Sequence, residues 1–403
     1  MKVSKKSLIN WICLFGLCEP LGLYTTAIHP LFSIAKLLAL AYSVLLIIHR
    51  DVEIDAFLCA VLAFCTFMLV PTVINNGNWR DWFRFFYMYM SVCIIVKYEI
   101  HRNSLALINN VTMIISIVLL ANLISLLSFG PDMAAEGVYG GGGTVYTIGI
   151  RTRITDWMAC GIPLAYVSTV MRKRNKNRLI FVIFSTLIFV VINSVSAGVI
   201  CFFALIGTLI VLLRKQNDRL TNNMMLAGYF GAAIISFLII GVNIQDKVSW
   251  LIEDVLGEAL TLNNRTNIWR IVLLQIPEHL YVGHGWGVAK AFTYSKTEYV
   301  TRTATATHNQ FLSLLYDGGI IGILLFTIII VIAAKKLRKC NEYKIKSIMT
   351  AGFIAYCVLM IPEIGCDNTE FFMFLAIIAY SKDLSSSTGS WNTTLRSEYI
   401  ENG

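Results

Sequence analysis

The side chains able to do chemistry are few and lie mostly outside the apolar runs. Of 403 residues 14% are charged and six are histidine, so each polar group in an apolar setting is informative. Residues 262–276, LNNRTNIWRIVLLQI, contain Arg265 and Arg270. Arg151 and Arg153 stand two apart in TIGIRTRITD. The stretch 302–310, RTATATHNQ, carries Arg302, His308 and Asn309. Between them comes YVGHGWG, in which Gly283, Gly285 and Gly287 alternate. Arginine is a permanent cation, and histidine is the side chain best suited to take a proton near neutral pH. Such a set can hold an anion and remove a proton. The segment 244–307 balances Asp246, Glu253, Asp254, Glu258, Glu278 and Glu298 against Lys247, Arg265, Arg270, Lys290, Lys296 and Arg302. Its arginines are therefore not a bulk basic patch. They serve either as solubilising ion pairs or as receivers of an anion held at a membrane face.

The elements that must position these groups belong to a membrane. Apolar residues make up 57% of the chain and charged residues 14%, against about half and about a quarter in an ordinary soluble protein. This excludes a soluble globular domain, a disordered chain and a fibrous repeat. Apolar runs fall at 8–27, 30–49, 54–74, 82–100, 105–129, 154–171, 179–193, 195–213, 224–243, 308–334, 346–362 and 368–381. Most approach the roughly 20 residues of a spanning helix. The stretch 179–213 is too long for one span and divides at Asn193-Ser194. Lys2, Lys5 and Lys6 precede the first run as in a signal peptide, but no small-residue cleavage site follows and Glu19-Pro20 interrupts, so it reads as a span. With the N-terminus inside, 22 of the 33 Lys and Arg fall in cytoplasmic segments, as the positive-inside rule requires. The expected fold is an all-α polytopic membrane protein of twelve transmembrane helices, with both termini cytoplasmic. Residues 1–243 form the first nine spans and include an outer loop at 130–153. An extracytoplasmic loop at 244–307 and the last three spans at 308–381 follow, then a cytoplasmic tail at 382–403. The net charge of +9 sits mostly in the inner segments, so no nucleic-acid partner is expected. The ten cysteines lie mostly in apolar runs, form no CxxC, and support neither a zinc site nor a disulfide framework.

Within the long loop, 262–276 reads as an amphipathic helix capped by Asn263 or Asn264 and stopped by Pro277. Ile268, Trp269, Ile271, Val272 and Leu274 form its broad apolar face, suited to lying along a membrane surface. Arg265 and Trp269 are four apart and share a face. Arg270 lies roughly 140° round from Arg265, so the two need not bind one group. The alternating glycines suit a tight turn where backbone approaches something closely. They are not a phosphate loop, because no GK[ST] follows. GGGG at 140–143 reads as a flexible loop. His308 and Asn309 open the tenth span, where a histidine serves either as a cap or packing residue or as a rigidly held proton acceptor.

The chain resembles the O-antigen ligase and polysaccharide polymerase family of bacterial membrane glycosyltransferases. The resemblance covers residues of about 190–330. It is carried by Ser194-Val195-Ser196-Ala197-Gly198 opening a span, Arg265 with Trp269, the glycine turn, and His308-Asn309 with Leu312 followed by Gly318-Gly319. It implies a GT-C-like helical fold in the bacterial inner membrane, with an extracytoplasmic active site. It also implies transfer of glycan from an undecaprenyl-pyrophosphate carrier to an acceptor sugar, with no metal or other cofactor. On this reading Arg265 stabilises the departing pyrophosphate, since planar guanidinium forks suit phosphate, and His308 deprotonates or orients the acceptor hydroxyl. Arg270, Arg302 and Asn309 are further candidates for substrate contact. One departure stands out: Ala197 occupies a position where the family often has arginine, in an S-x-S-R-G pattern. Arg151 and Arg153 are its candidate replacements, or else interfacial anchors of the sixth span. Arg302 and Gly318 fit an R-x15-G polymerase pattern, but about one such pair is expected by chance from 16 Arg and 27 Gly.

Glu19, Lys36, Arg84, Asp156 and Glu363 lie near the ends of spans or one to two turns deep. Ionisable groups there are functional suspects by default, although snorkelling explains Lys36 and Arg84 more simply. Asp156, three residues after Arg153, is placed to orient it. The leading expectation is a polymerase of O-antigen, capsule or exopolysaccharide, acting on a lipid-linked repeat unit beside a chain-length regulator. A ligase differs only in its acceptor. A lipid-linked oligosaccharide flippase or transporter also fits the span number, but transporters commonly show repeated halves with charged midplane sites, and none is evident. A scaffold or sensor leaves Arg265, the glycine turn and His308 without a reason to converge.

Overall fold

The computed structural model describes residues 5–24, 26–129, 145–172, 176–242, 265–286, 292–297, 300–304 and 306–384. The glycine run 140–143, residues 244–264, Gly287, Lys290 and the tail from 385 lie outside them, as does the side chain of Arg302. The chain is built from helices. They are α1 (Lys5–Leu17), α2 (His29–Ile48), α3 (Ala56–Phe67), α4 (Leu69–Ile74), α5 (Trp79–Phe129), α6 (Ile154–Met171), α7 (Lys176–Ile192), α8 (Ser196–Lys215), α9 (Asp218–Val242), α10 (Arg265–Gln275), α11 (Gln310–Leu337), α12 (Tyr343–Leu359) and α13 (Thr369–Ala379). A break in backbone conformation at Asn103 (φ −158°, ψ 79°) divides α5 into the two segments that two separate apolar runs predict. Two small antiparallel hairpins are the only strands among the described residues. They pair β1 (Val145–Tyr146) with β2 (Gly149–Ile150), and β3 (Phe292–Thr297) with β4 (Val300–Ala304). The amphipathic helix of the long loop begins at Arg265 and ends at Gln275, inside the expected 262–276.

Among the described residues, six helical segments are long and apolar enough to cross a membrane: His29–Ile48, Ala56–Ile74, Trp79–Ser128, Ser196–Lys215, Asp218–Gly241 and Gln310–Leu337. Their outward faces expose Leu31, Leu37, Ile48, Leu127, Phe203 and Phe237. In water such a surface would aggregate; in lipid it is the expected boundary. The protein is an all-α, multi-pass membrane protein. The inner helices look different. Nearly every residue of α6, α12 and α13 is buried, as expected for helices surrounded by other helices. Close approach at their crossings depends on small residues. A Cβ on Gly352 would come within 2.6 Å of Pro163 and 2.7 Å of Phe374.

One end of the bundle is tied by Asp55, which caps α3 by accepting from the backbone N–H of Phe57 and Leu58. Its carboxylate also receives Lys336 of α11 at 2.5 Å and the Tyr380 hydroxyl at 3.0 Å. Arg50, Lys97, Lys336, Lys339 and Lys382 gather around this point.

The break that matters most to the architecture lies at the other end of α11. Gly319 has φ 61° and ψ −162°, which no helix accommodates. The backbone groups freed there are taken up by the glycine turn. Tyr316 and Asp317 carbonyls accept from the N–H groups of His284 and Gly285, each at 2.8 Å. Ile320 and Ile321 N–H groups donate to the carbonyls of Leu280 and Tyr281 at 2.9 and 3.1 Å. Buried backbone polar groups without partners cost several kcal/mol each in an apolar medium, so the turn and the break stabilise one another. This explains the glycines. Gly283 and Gly285 have φ +76° and +91°, and a Cβ on either would come within 2.4 Å of neighbouring backbone. We expect Gly283→Ala to lower stability by about 2 to 5 kcal/mol, from strain plus overpacking. Gly207→Ala, at a helical site with nothing within 4 Å of the added Cβ, should leave it unchanged or raise it by up to about 1 kcal/mol. Thermal unfolding of the two variants in detergent checks this.

Candidate active site

Helix α10 is held in place by its buried face. Ile268, Trp269 and Val272 pack with Ile276, Leu312 and Tyr316 in a small core separate from the main one. The Trp269 indole N–H donates to the Thr307 carbonyl at 2.8 Å. This bond docks α10 beside the residue that precedes His308. Arg265, one turn back on the same face, then points the way the spacing predicts.

The histidine is held from its other side. Asn309 caps α11, its Oδ1 accepting from the Leu312 N–H at 2.9 Å. Its Nδ2 donates to Ser236 Oγ at 3.0 Å and to the Ile361 carbonyl at 2.8 Å. Fully buried and so engaged, Asn309 is a framework residue rather than a ligand contact. Gln310 donates its N–H to the Met360 carbonyl, and its Oε1 accepts from the Cys366 N–H at 2.8 Å. These bonds pin the segment between α12 and α13 across the start of α11. His308 itself adopts φ +50°, an unusual conformation for a non-glycine residue.

The pinned segment carries Glu363, and on it the two predicted groups meet. Arg265 Nη2 lies 2.5 Å from Glu363 Oε1, and His308 Nδ1 lies 3.5 Å from Oε2. A carboxylate only accepts, so Nδ1 carries the proton in this contact and Nε2 is left as the acceptor. Burial alone would push the Glu363 carboxyl up. The hydrogen bond from His308 and the charges of Arg265, His308 and Arg153 outweigh it and hold the group below the usual carboxylate range. The side chains of Arg265, His308 and Glu363 are 21%, 34% and 15% exposed, so the group is partly open.

Arg153 approaches the same segment from the opposite side. Its Nη1 donates to Asp156 at 3.1 Å and to the Ile364 carbonyl at 3.2 Å, and lies 3.7 Å from Asp367. Asp156 thus pairs with it, as their spacing suggests. Arg151 goes elsewhere, donating to the Asn193 carbonyl at 3.4 Å. That places it beside the junction of α7 and α8, close in sequence to Ala197. The two arginines therefore do not act on one point. Arg270 is exposed on another face of α10, as its angle predicts. Arg302 has its backbone in β4.

Two cavities adjoin the segment. One of about 190 Å³ is lined by Trp286, Ala306, Gln310, Ser313, Asp317 and Ile364. The other, of about 150 Å³, is lined by Tyr24, Arg84, Arg153, Asp156 and Glu370. Both are bordered by Phe85, Tyr89 and Asp367. Arg265 and His308 line neither, so they share a carboxylate rather than a walled cleft. Sequence reasoning noted Glu363 only as a charge at a span end. Its signal was the ionisable group itself, and its partners could not be named from one chain. Among the described residues, Glu278, His279 and His284 form a group with metal-ligating side chains close together, on the glycine turn and not at Glu363.

Residues 180–327 match the family model described as O-antigen ligase. Over this stretch the chain is similar to the O-antigen ligase family, and the match supports a relationship to it. The matched stretch includes Ser194–Gly198, Arg265, the glycine turn and His308, while Arg151, Arg153 and Glu363 fall outside it. No curated protein matches the chain.

Because the folded-state pKa of Glu363 is lowered, its pairing stabilises the fold fully above the unfolded-state value of about 4.3. The contribution is lost as pH falls through the lower, folded value. The melting-temperature gap between wild type and Glu363→Gln should therefore hold steady above about pH 5 and close below about pH 4. A gap that widens on acidification would contradict the assignment.

Proposed function

We propose that the chain is a polysaccharide polymerase of the bacterial cytoplasmic membrane. It transfers glycan from an undecaprenyl-pyrophosphate donor to a sugar hydroxyl of a lipid-linked repeat unit on the outer face. One observation carries this reading: Arg265 and His308 are brought onto the same carboxylate, Glu363. That gives a cation for a diphosphate and a proton acceptor for a sugar alcohol within one side chain of each other.

In the proposed step, the acceptor hydroxyl oxygen attacks the anomeric carbon of the donor. The bond from that carbon to the diphosphate oxygen breaks, and its electron pair leaves with the diphosphate. The hydroxyl proton passes to Nε2 of His308, while Glu363 steadies the resulting imidazolium through Nδ1–H. Arg265 uses Nη2 on Glu363 and, with five guanidinium N–H donors in all, has others to offer the leaving oxygens. Arg153 adds positive charge from the far side of the segment. Arg151 donates to the Asn193 carbonyl, four residues before Ala197, where the family often has arginine.

The orientation follows from α11. His308 precedes its first turn, and Lys335 and Lys336 stand in its last, with Lys339 just beyond. Beyond the break at Gly319, residues 320–337 of α11 rise about 27 Å, close to the hydrocarbon thickness of a bilayer, so the basic cluster and the site fall toward opposite membrane faces. The basic cluster around Asp55 then faces the cytoplasm, and the site faces outward.

His308→Ala and Arg265→Ala should each abolish long-chain polymer on a polysaccharide gel, while the protein still reaches the membrane and single-unit lipid-linked material accumulates. The expected loss in rate for His308→Ala is about 10² to 10⁴-fold. Normal ladders from both would remove these assignments. Deletion of the whole chain should leave single units. Unattached long chains would instead identify a ligase, and loss of all material a flippase.

A further inference from the structure

We propose that Glu278, His279 and His284 form a binding site for a divalent transition-metal ion of the zinc class, which clamps the glycine turn onto the break in α11. One ligand atom from each of the three lies within 4.8 Å of the others. The residues come from the two ends of the turn. Glu278 and His279 end the short helical turn Ile276–His279, and His284 lies between Gly283 and Gly285. The turn between them is closed by a hydrogen bond from the Gly283 N–H to the His279 carbonyl at 2.7 Å.

His284 is held as a ligand must be. Its backbone N–H and its ring Nδ1 both contact the Tyr316 carbonyl, at 2.8 and 3.1 Å. Its ring lies flat on Tyr316, with centroids 4.1 Å apart and planes within 4°. A carbonyl cannot donate, so Nδ1 bears the hydrogen and Nε2 keeps its lone pair. A backbone carbonyl behind the distal ring nitrogen is the usual support of a metal-bound imidazole. The His279 ring stands edge-on to it at 4.6 Å. Two imidazoles and one carboxylate suit zinc and its neighbours, whereas magnesium and calcium favour oxygen-only sets. Three protein ligands leave a fourth position for water. Because His284 is bonded to Tyr316, an ion bound across the turn would tie residues 278–284 to α11 by more than the backbone bonds alone.

This site stands apart from Glu363, and its test does not depend on the transferase reading. The full chain, purified through a histidine-free tag, is stripped with chelator and titrated with zinc chloride by calorimetry and by thermal unfolding. The expected result is one saturable site per chain and a higher melting temperature with zinc. Glu278→Gln and His279→Gln, which alter exposed and half-buried side chains, should fold as the stripped wild type does. Each should weaken binding at least about 10-fold and reduce the thermal shift. His308→Gln should bind zinc like the wild type. No saturable binding, or equal binding and thermal shift in wild type, Glu278→Gln and His279→Gln, would overturn the proposal.

Discussion

The architecture around the candidate site depends on a helix that is broken where it can least tolerate a break. Near the start of α11, Gly319 leaves the helical path and frees backbone donors and acceptors. Lipid offers them nothing. Four hydrogen bonds from the segment 280–285 satisfy them instead, so a loop between elements becomes part of a membrane helix. The loop lies so close to α11 that only glycine fits at 283 and 319, while Gly285 is crowded by the backbone of Pro71 and Thr72 in α4. α10 leads directly into this loop, and its Trp269 is bonded to Thr307. The break thereby fixes where Arg265 stands relative to His308.

On this frame the charges are arranged around a short segment, 360–367, rather than around a pocket. Gln310 and Asn309 hold its backbone. Glu363 faces Arg265 and His308, and Arg153 reaches the carbonyl of Ile364 from behind. A carboxylate shared between an arginine and an imidazole keeps both in place without neutralising either permanently. In the proposed reaction an incoming diphosphate competes for the arginine on favourable terms, since it also is an anion with oxygens matched to the guanidinium fork, and the imidazole is left with the carboxylate to itself when it takes the proton.

Much of this was legible in the residues, and the limits have physical causes. The period and capping pattern of 262–276 foretold α10 within a few residues, and the four-residue spacing put Arg265 and Trp269 on one face. The angle between Arg265 and Arg270 foretold their separation. Asn309 caps α11, the ordinary role of an asparagine at a helix start, and its side chain is engaged by Leu312, Ser236 and Ile361. Glu363 was visible only as a charge at a span end. Its partners lie 98 and 55 residues earlier, across intervening helices, and no local pattern encodes such a contact. The glycine turn announced a close approach of backbone but not its target. Gly318-Gly319 reads within an apolar run as small-residue packing, and only the geometry reveals a break there. Arg151 and Arg153, two apart in the sequence, go to different partners because a short helical turn, Arg151–Arg153, carries them.

The central claim is that the cation at 265 and the imidazole at 308 meet at the outer membrane face. It is tested most directly by replacing both with cysteine and treating intact cells with a short, membrane-impermeant bifunctional thiol reagent. The account predicts an intramolecular cross-link between positions 265 and 308, formed without opening the membrane and absent from either single variant. Labelling of both positions without cross-linking, or cross-linking that occurs only after the membrane is permeabilised, would contradict it.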